Sequence, residues 1–181
     1  MATLPTTHTV AVGDKITAAD ENTYVRDATA FVIAPPRLFA YQGTTATTAT
    51  SGTSALMSWD TEQWDTDSMH STSSNTSLLV ITTTGLYDVK VSVFWVANAT
   101  GFREVEIRKN SAGAVGSGTG VAKFRCPATA TLGGYVGGTV DVSLTAGDHL
   151  ECFALQTSGS SLATTVGAQF TWVSARWVAT S

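Results

Sequence analysis

The stretch GLYDVKVSVFW, residues 85–95, decides the fold class. Tyr87, Val89, Val91, Val93 and Trp95 occupy every second position, with Asp88, Lys90 and Ser92 between them. Successive side chains of a β-strand point to opposite faces, so this period of two predicts a strand over 85–97 with one face buried. Working outward, residues 102–109 repeat the pattern, with Val105 and Ile107 facing in and Glu104, Glu106 and Arg108 facing out. A short β-branched strand is predicted over 78–83, and further strands near 119–126, 134–144, 148–157 and 167–178. Residues 43–54, GTTATTATSGTS, read as a polar edge strand with a loop. Turn chemistry separates these runs at 98–101 (NATG), 109–113 (KNSAG) and 145–148 (TAGD). Eight or more short strands with glycine-rich turns and almost no helix predict an all-β antiparallel sandwich of jelly-roll form.

Composition agrees. The chain has 181 residues, enough for one moderate domain plus a short appendage. Only 13% of residues are charged, while Ser and Thr supply roughly a quarter, so the surface is built from hydroxyls and glycine. A coiled coil, a helical bundle and a charged disordered tail are all disfavoured. Ten Lys and Arg against fourteen Asp and Glu give a net charge of -4, which argues against a nucleic-acid footprint. No export signal and no membrane-inserting segment is read in the sequence, so a soluble protein outside the standard secretion route is expected. Cys126 and Cys152 are too few for a disulfide framework; two reduced, packed thiols are expected unless the fold brings them together.

The first residues read differently. Thr17 caps a helix whose first turn carries Asp20 and Glu21, and Tyr24, Val25, Ala28, Phe31 and Val32 recur at helical spacing. Pro35 and Pro36 end it, leaving one short N-terminal α-helix near 18–33. The boundary implied is a 1–37 segment with the helix and a 38–181 sandwich domain. A lone helix of this length needs a partner for its apolar face, either its own domain or another chain.

Four constellations invite a chemical reading. Residues 59–70, WDTEQWDTDSMH, hold Asp60, Glu62, Asp65 and Asp67, enough for a hard cation such as calcium. They lack the EF-hand glycine and its closing glutamate, so an ordered connection anchored by Trp59 and Trp64 is expected. The same carboxylates are the sole candidates for hydrolysis of a cell-wall polymer, and nothing positions them across a cleft. The run GAVGSGTG, 113–120, lacks the strand-to-helix setting of a phosphate loop and reads as a hairpin loop. His8, His70 and His149 have no nucleophile elbow to serve, so no enzyme is expected. Arg103, Arg108, Lys109, Lys123 and Arg125 interleave with Glu104 and Glu106 as cross-strand ion pairs would. Trp59, Trp64, Trp172 and Trp177 offer stacking surfaces for sugar rings, and an alternative reading is a receptor- or glycan-binding module whose specific site is formed by the loops around Trp59, Trp64 and Gly113 to Gly120.

The run 85–95, the later LTAGDHLECFALQTSG (144–159) and the closing AQFTWVSARWV (168–178) together resemble the jelly roll of the tumour-necrosis-factor and complement-head family. Gly85, Tyr87, Gly147, Asp148 and Phe170 match its Gly-x-Tyr strand, Gly-Asp turn and Phe-x-aliphatic final strand. The segments 97–110 and 59–71 look like versions of this domain encoded by bacteriophages of actinobacteria and their relatives. Residues 11–36 are similar to a lead-in found on phage virion proteins, where it serves as an attachment element.

The resemblance implies a homotrimer with an apolar, aromatic-rich seam, for which Tyr87, Trp95, Phe153, Phe170 and Trp172 are the material. It also implies a structural component of a virion, a fibre or capsid decoration assembled in the host cytoplasm. The helix residues Tyr24, Val25, Ala28, Phe31 and Val32 would hold it to other virion proteins. The outward domain would contact host cell-surface glycan. Neither a cofactor nor a metal is implied.

Overall fold

Strand β6 (Gly85–Trp95) is an inner strand of a five-stranded antiparallel sheet, and its side chains alternate buried and half-buried along the whole length. The computed structural model describes residues 9–181; His8 and the start of the 1–37 segment lie outside the described residues. The first sheet runs β4 (Thr61–Asp65), β1 (Arg37–Tyr41), β12 (Trp172–Ala179), β6, β9 (Gly134–Leu144). The second runs β3 (Ala55–Leu56), β10 (His149–Gln156), β7 (Phe102–Lys109), β8 (Thr119–Pro127), with β5 (Leu79–Val80) also paired to β10. A two-stranded piece, β2 (Thr48–Ala49) with β11 (Leu162–Ala163), closes one end. All pairings are antiparallel. The expected antiparallel jelly-roll sandwich is the observed fold.

The core lies between the sheets. Tyr87, Val89, Val91, Val93 and Trp95 of β6 meet Val105 and Ile107 of β7 and Leu150, Cys152 and Ala154 of β10. Trp59, Met57, Met69 and Ile81 reach the same core from connecting segments. Each such side chain contributes about 1.5–3 kcal/mol by leaving water. The Tyr87 hydroxyl donates to the Thr83 carbonyl at 2.6 Å, so burying the ring leaves no orphaned polar group there. Burial, with the charge of Asp67, pushes its phenol pKa up.

Several local expectations are corrected. The strand read over 78–83 shrinks to Leu79–Val80, because the Thr82 and Thr83 hydroxyls turn to donate to the Asp67 carboxylate. The edge strand of 43–54 shrinks to Thr48–Ala49, since the N–H groups of Gly43, Thr44 and Thr45 wrap the Asp60 carboxylate instead. The last strand starts at Trp172, not 167, because Phe170 and Thr171 turn back to donate to the Gly167 carbonyl. The connection 59–71 contains a strand, β4, and only its Trp59 is an anchor.

The N-terminal helix forms where it was expected, as α1 (Ala18–Asp20), a π-helical stretch (Glu21–Arg26) and α2 (Asp27–Ile33). Thr17 and Asp20 form a reciprocal capping box. The Asp27 N–H donates to the Asn22 carbonyl, five residues back, which widens the turn. Of its apolar stripe only Phe31 is buried; Tyr24 and Ala28 are half-buried, and Val25 and Val32 are 56% and 76% exposed.

Candidate interaction face

A sheet with one face in the core presents the other outward, and here the strand register shows what that face carries. On β6 the outward residues are Leu86, Asp88, Lys90, Ser92 and Phe94. Across the five strands they fall into rows, written from β9 to β1. One row reads Gly137, Ser92, Trp172, Tyr41; the next Thr139, Lys90, Ser174, Phe39, the last of these opposite Trp64 of β4. The third reads Asp141, Asp88, Arg176, Arg37.

Two aromatic patches stand on this face. Phe39 stacks on Trp172 at 5.3 Å between centroids and meets Trp64 at 5.1 Å and Tyr41 at 6.3 Å. Phe94 meets Tyr135 edge-on at 4.6 Å and Phe170 at 5.3 Å. None of these seven rings is buried; Trp64 is 40% and Tyr135 52% exposed. Between the patches, Gly137 and Ser92 leave a notch walled by Tyr135 and Trp172. Only glycine fits at 137, because a Cβ there would meet the Val91 carbonyl oxygen. Rings gathered on an outward sheet face, rather than scattered singly, mark an association surface.

The structure separates the five aromatics read as seam material. Phe170 and Trp172 lie on the outward face. Tyr87 and Trp95 are completely buried in the protomer's own core. Phe153 is also buried, on the outer side of the second sheet, opposite Glu106 and Leu56. Four other rings of the face, Phe39, Tyr41, Phe94 and Tyr135, were missed, and Trp64 was read as an anchor and a stacking surface for sugar rather than as part of this face. Phe94 was legible: it falls in step with Asp88, Lys90 and Ser92, the face assigned outward.

The other candidates resolve into structural roles. Asp60 accepts from the Thr44 hydroxyl and from three backbone N–H groups; burial opposes its charge, but these bonds outweigh it and hold the carboxyl well below the usual range. Asp65 accepts from the N–H groups of Asp67 and His70, Asp67 from Thr82 and Thr83, and Glu62 meets His70 Nδ1 at 2.7 Å. Each of the four carboxylates is thus taken up by protein partners that hold the connection in place. Among the described residues no group of three or more His, Cys, Asp or Glu is arranged to hold a metal ion.

The loop after β7 is closed on Glu151, which accepts from the Ser111 hydroxyl at 2.5 Å and the Gly113 N–H at 2.9 Å. Trp59 is fully buried and offers no face to a sugar, while the half-buried Trp177 donates its indole N–H to the Thr84 carbonyl and packs against the Phe31 ring. The interleaved charges of β7 and β8 do form cross-strand pairs. Arg125 reaches Glu104 at 2.5 Å, and Lys123 reaches Glu104 at 3.4 Å and Glu106 at 3.3 Å. Both glutamates are buried beneath them, not solvated as an outward position would imply.

Cys126 and Cys152 are free thiols. They lie on opposite sides of β7, against Arg103 and Ile107, four positions apart along the strand. Burial, with the Glu151 charge, pushes the Cys152 thiol up to about 12.

No family model and no curated protein matches this sequence. Solved structures match the fold. The Eiger tumour necrosis factor of S. frugiperda superposes with a TM-score of 0.62 at 13% identity, over 81% of this chain and 94% of that one. Murine APRIL at pH 5.0 gives 0.61 at 8% identity, over 79% and 98%. The globular domain of the zebrafish complement 1qA protein gives 0.56 at 11% identity, over 81% and 99%. At these identities the likeness concerns the fold, and the 37–179 sandwich is a jelly roll of the tumour-necrosis-factor and complement-head type.

Proposed function

We propose that this chain is a non-enzymatic structural protein of a bacteriophage particle, a homotrimer of jelly rolls held to the particle by its N-terminal segment and projecting outward. The observation that carries the trimer is the aromatic face of the five-stranded sheet, seven rings that the protomer's own core leaves exposed or half-buried. Apolar area of this kind is stabilised by burial against another surface. The similarity of residues 11–36 to a virion lead-in, together with the exposed Val25 and Val32, supports attachment through the helix. The Ser-, Thr- and Gly-rich loops would then contact host cell-surface glycan.

Sedimentation of the purified full-length chain tests the assembly. A species near three times 18.8 kDa that survives dilution is expected, and a monomer overturns it. Immunogold labelling of purified phage particles with an antibody to the sandwich tests the location. Labelling at one repeated position is expected; unlabelled particles overturn the virion assignment.

A further inference from the structure

The charged row on the aromatic face is divided by sign. Asp141 and Asp88 stand side by side on β9 and β6, and Arg176 and Arg37 stand side by side on β12 and β1. Like charges directly opposite each other on neighbouring strands destabilise an isolated sheet, and this row contains two such pairs. Arg176 and Asp88 are register partners, yet they form no ion pair within the protomer; nor do Arg37 and Asp141 with any described residue. Asp88 is satisfied on one oxygen only. Its Oδ2 meets Lys90 at 2.8 Å, while Oδ1 is buried without a hydrogen-bond partner.

A ring of three identical subunits cannot use a self-complementary patch; each contact joins one part of the surface to a different part of the next copy. We propose that the two halves of this face are those two parts. Arg37 and Arg176 of one protomer meet Asp88 and Asp141 of the next, the two guanidinium forks lying over the acidic half of the neighbouring face. The partner is a second copy of this chain, chosen because its basic half complements the acidic half in charge and extent. The larger aromatic patch, around Phe39, lies on the basic half, and the Gly137–Ser92 notch lies on the acidic half, so apolar contact runs in the same direction. This inference rests on the trimeric reading and adds the pairing that sets its register.

Charge exchange tests it. The pair Arg37→Asp with Arg176→Asp makes the row wholly acidic, and Asp88→Arg with Asp141→Arg makes it wholly basic. Each is expected to raise the protein concentration needed for assembly about tenfold or more, read by sedimentation. The chain carrying all four substitutions restores opposite halves and is expected to regain assembly. Circular dichroism and a melting curve confirm that each variant is folded. The milder pairs Arg37→Gln with Arg176→Gln and Asp88→Asn with Asp141→Asn serve if a reversal does not fold, and weakened assembly is again expected.

Half-exchanged or neutralised chains that assemble like the parent overturn the pairing, as does a folded four-fold variant that stays monomeric. A parent chain that is itself monomeric overturns the trimeric reading first. A trimeric parent indifferent to these charges overturns only this inference.

Discussion

Phe31 stands edge-on to Trp177, with 4.8 Å between ring centroids and 88° between planes, and so ties the end of the N-terminal helix to the last strand. The Trp177 N–H also donates to the Pro36 carbonyl at 2.9 Å, which fixes the chain just beyond the helix. The apolar stripe therefore divides in two: Phe31 packs on its own domain, while Val25 and Val32 face solvent. Phe31→Ala is expected to speed proteolysis around the proline pair and to lower the melting midpoint by about 2–6 °C. Val25→Asp with Val32→Asp should leave both readings unchanged, and should release the protein from its particle if the helix is the anchor. Normal incorporation of that double variant would remove the anchoring role.

The aromatic face makes a prediction about association rather than folding. Phe39→Glu and Phe94→Glu each place a carboxylate at the centre of one patch without touching the sandwich core. Both are expected to give folded monomers at concentrations where the parent chain is trimeric, measured by light scattering alongside circular dichroism. Substituting the buried Tyr87 instead should unfold the protomer, because that ring belongs to the core.

Acid should weaken the fold in a stated window. Burial raises the Asp60 carboxyl, but the bonds from the Thr44 hydroxyl and the Gly43, Thr44 and Thr45 N–H groups outweigh it and hold it low. Asp148 is held low by the Thr145 N–H first, with burial opposing and Asn110 and Lys109 assisting. A carboxyl depressed in the folded state is protonated first in the unfolded chain, so its contribution is complete above about pH 4 and is lost as the pH falls further. Urea unfolding from pH 6 down to pH 2 should show falling stability. The fall should be shallower in Asp60→Asn, and an equal slope would show that Asp60 contributes nothing to it.

Glu151 is the clip of the 110–118 loop. It is almost completely buried and accepts from Ser111, itself buried, and from the Gly113 N–H. Glu151→Ala leaves those donors without an acceptor, at a cost of about 1–3 kcal/mol for each group that stays out of water. A lower urea midpoint and new cleavage within the loop are expected. An unchanged midpoint would mean that water replaces the carboxylate without loss.

Much of this fold was legible because a strand with one buried face leaves its period in the sequence. The β7 bounds fall where the alternation of Val105 and Ile107 put them, and β9 runs over the predicted 134–144. The capping box at Thr17 and Asp20 was readable for a similar reason, since both of its partners lie within one helical turn. The short elements were not legible. The bounds of β2 and β5 depend on whether threonine hydroxyls and backbone N–H groups bond a strand neighbour or a distant carboxylate, Asp60 or Asp67.

The interaction face shows the same division. Periodicity told that Phe94 points away from Tyr87 and Trp95, because alternation is a local property of the backbone. That Phe94 stands beside Tyr135 and Phe170, and that Phe39 joins Trp64 to Trp172, came only from the order in which β4, β1, β12, β6 and β9 pair. Pairing order is set by contacts between residues far apart in the chain, such as Phe39 with Trp64 and with Ser174, and no local pattern encodes them. By itself, then, the sequence determined the long strands, the inward face of β6 and the helix cap, all governed by interactions within a few residues. The tertiary structure alone decided which outward residues share a surface, because neighbours on a sheet are neighbours across strands and not along the chain.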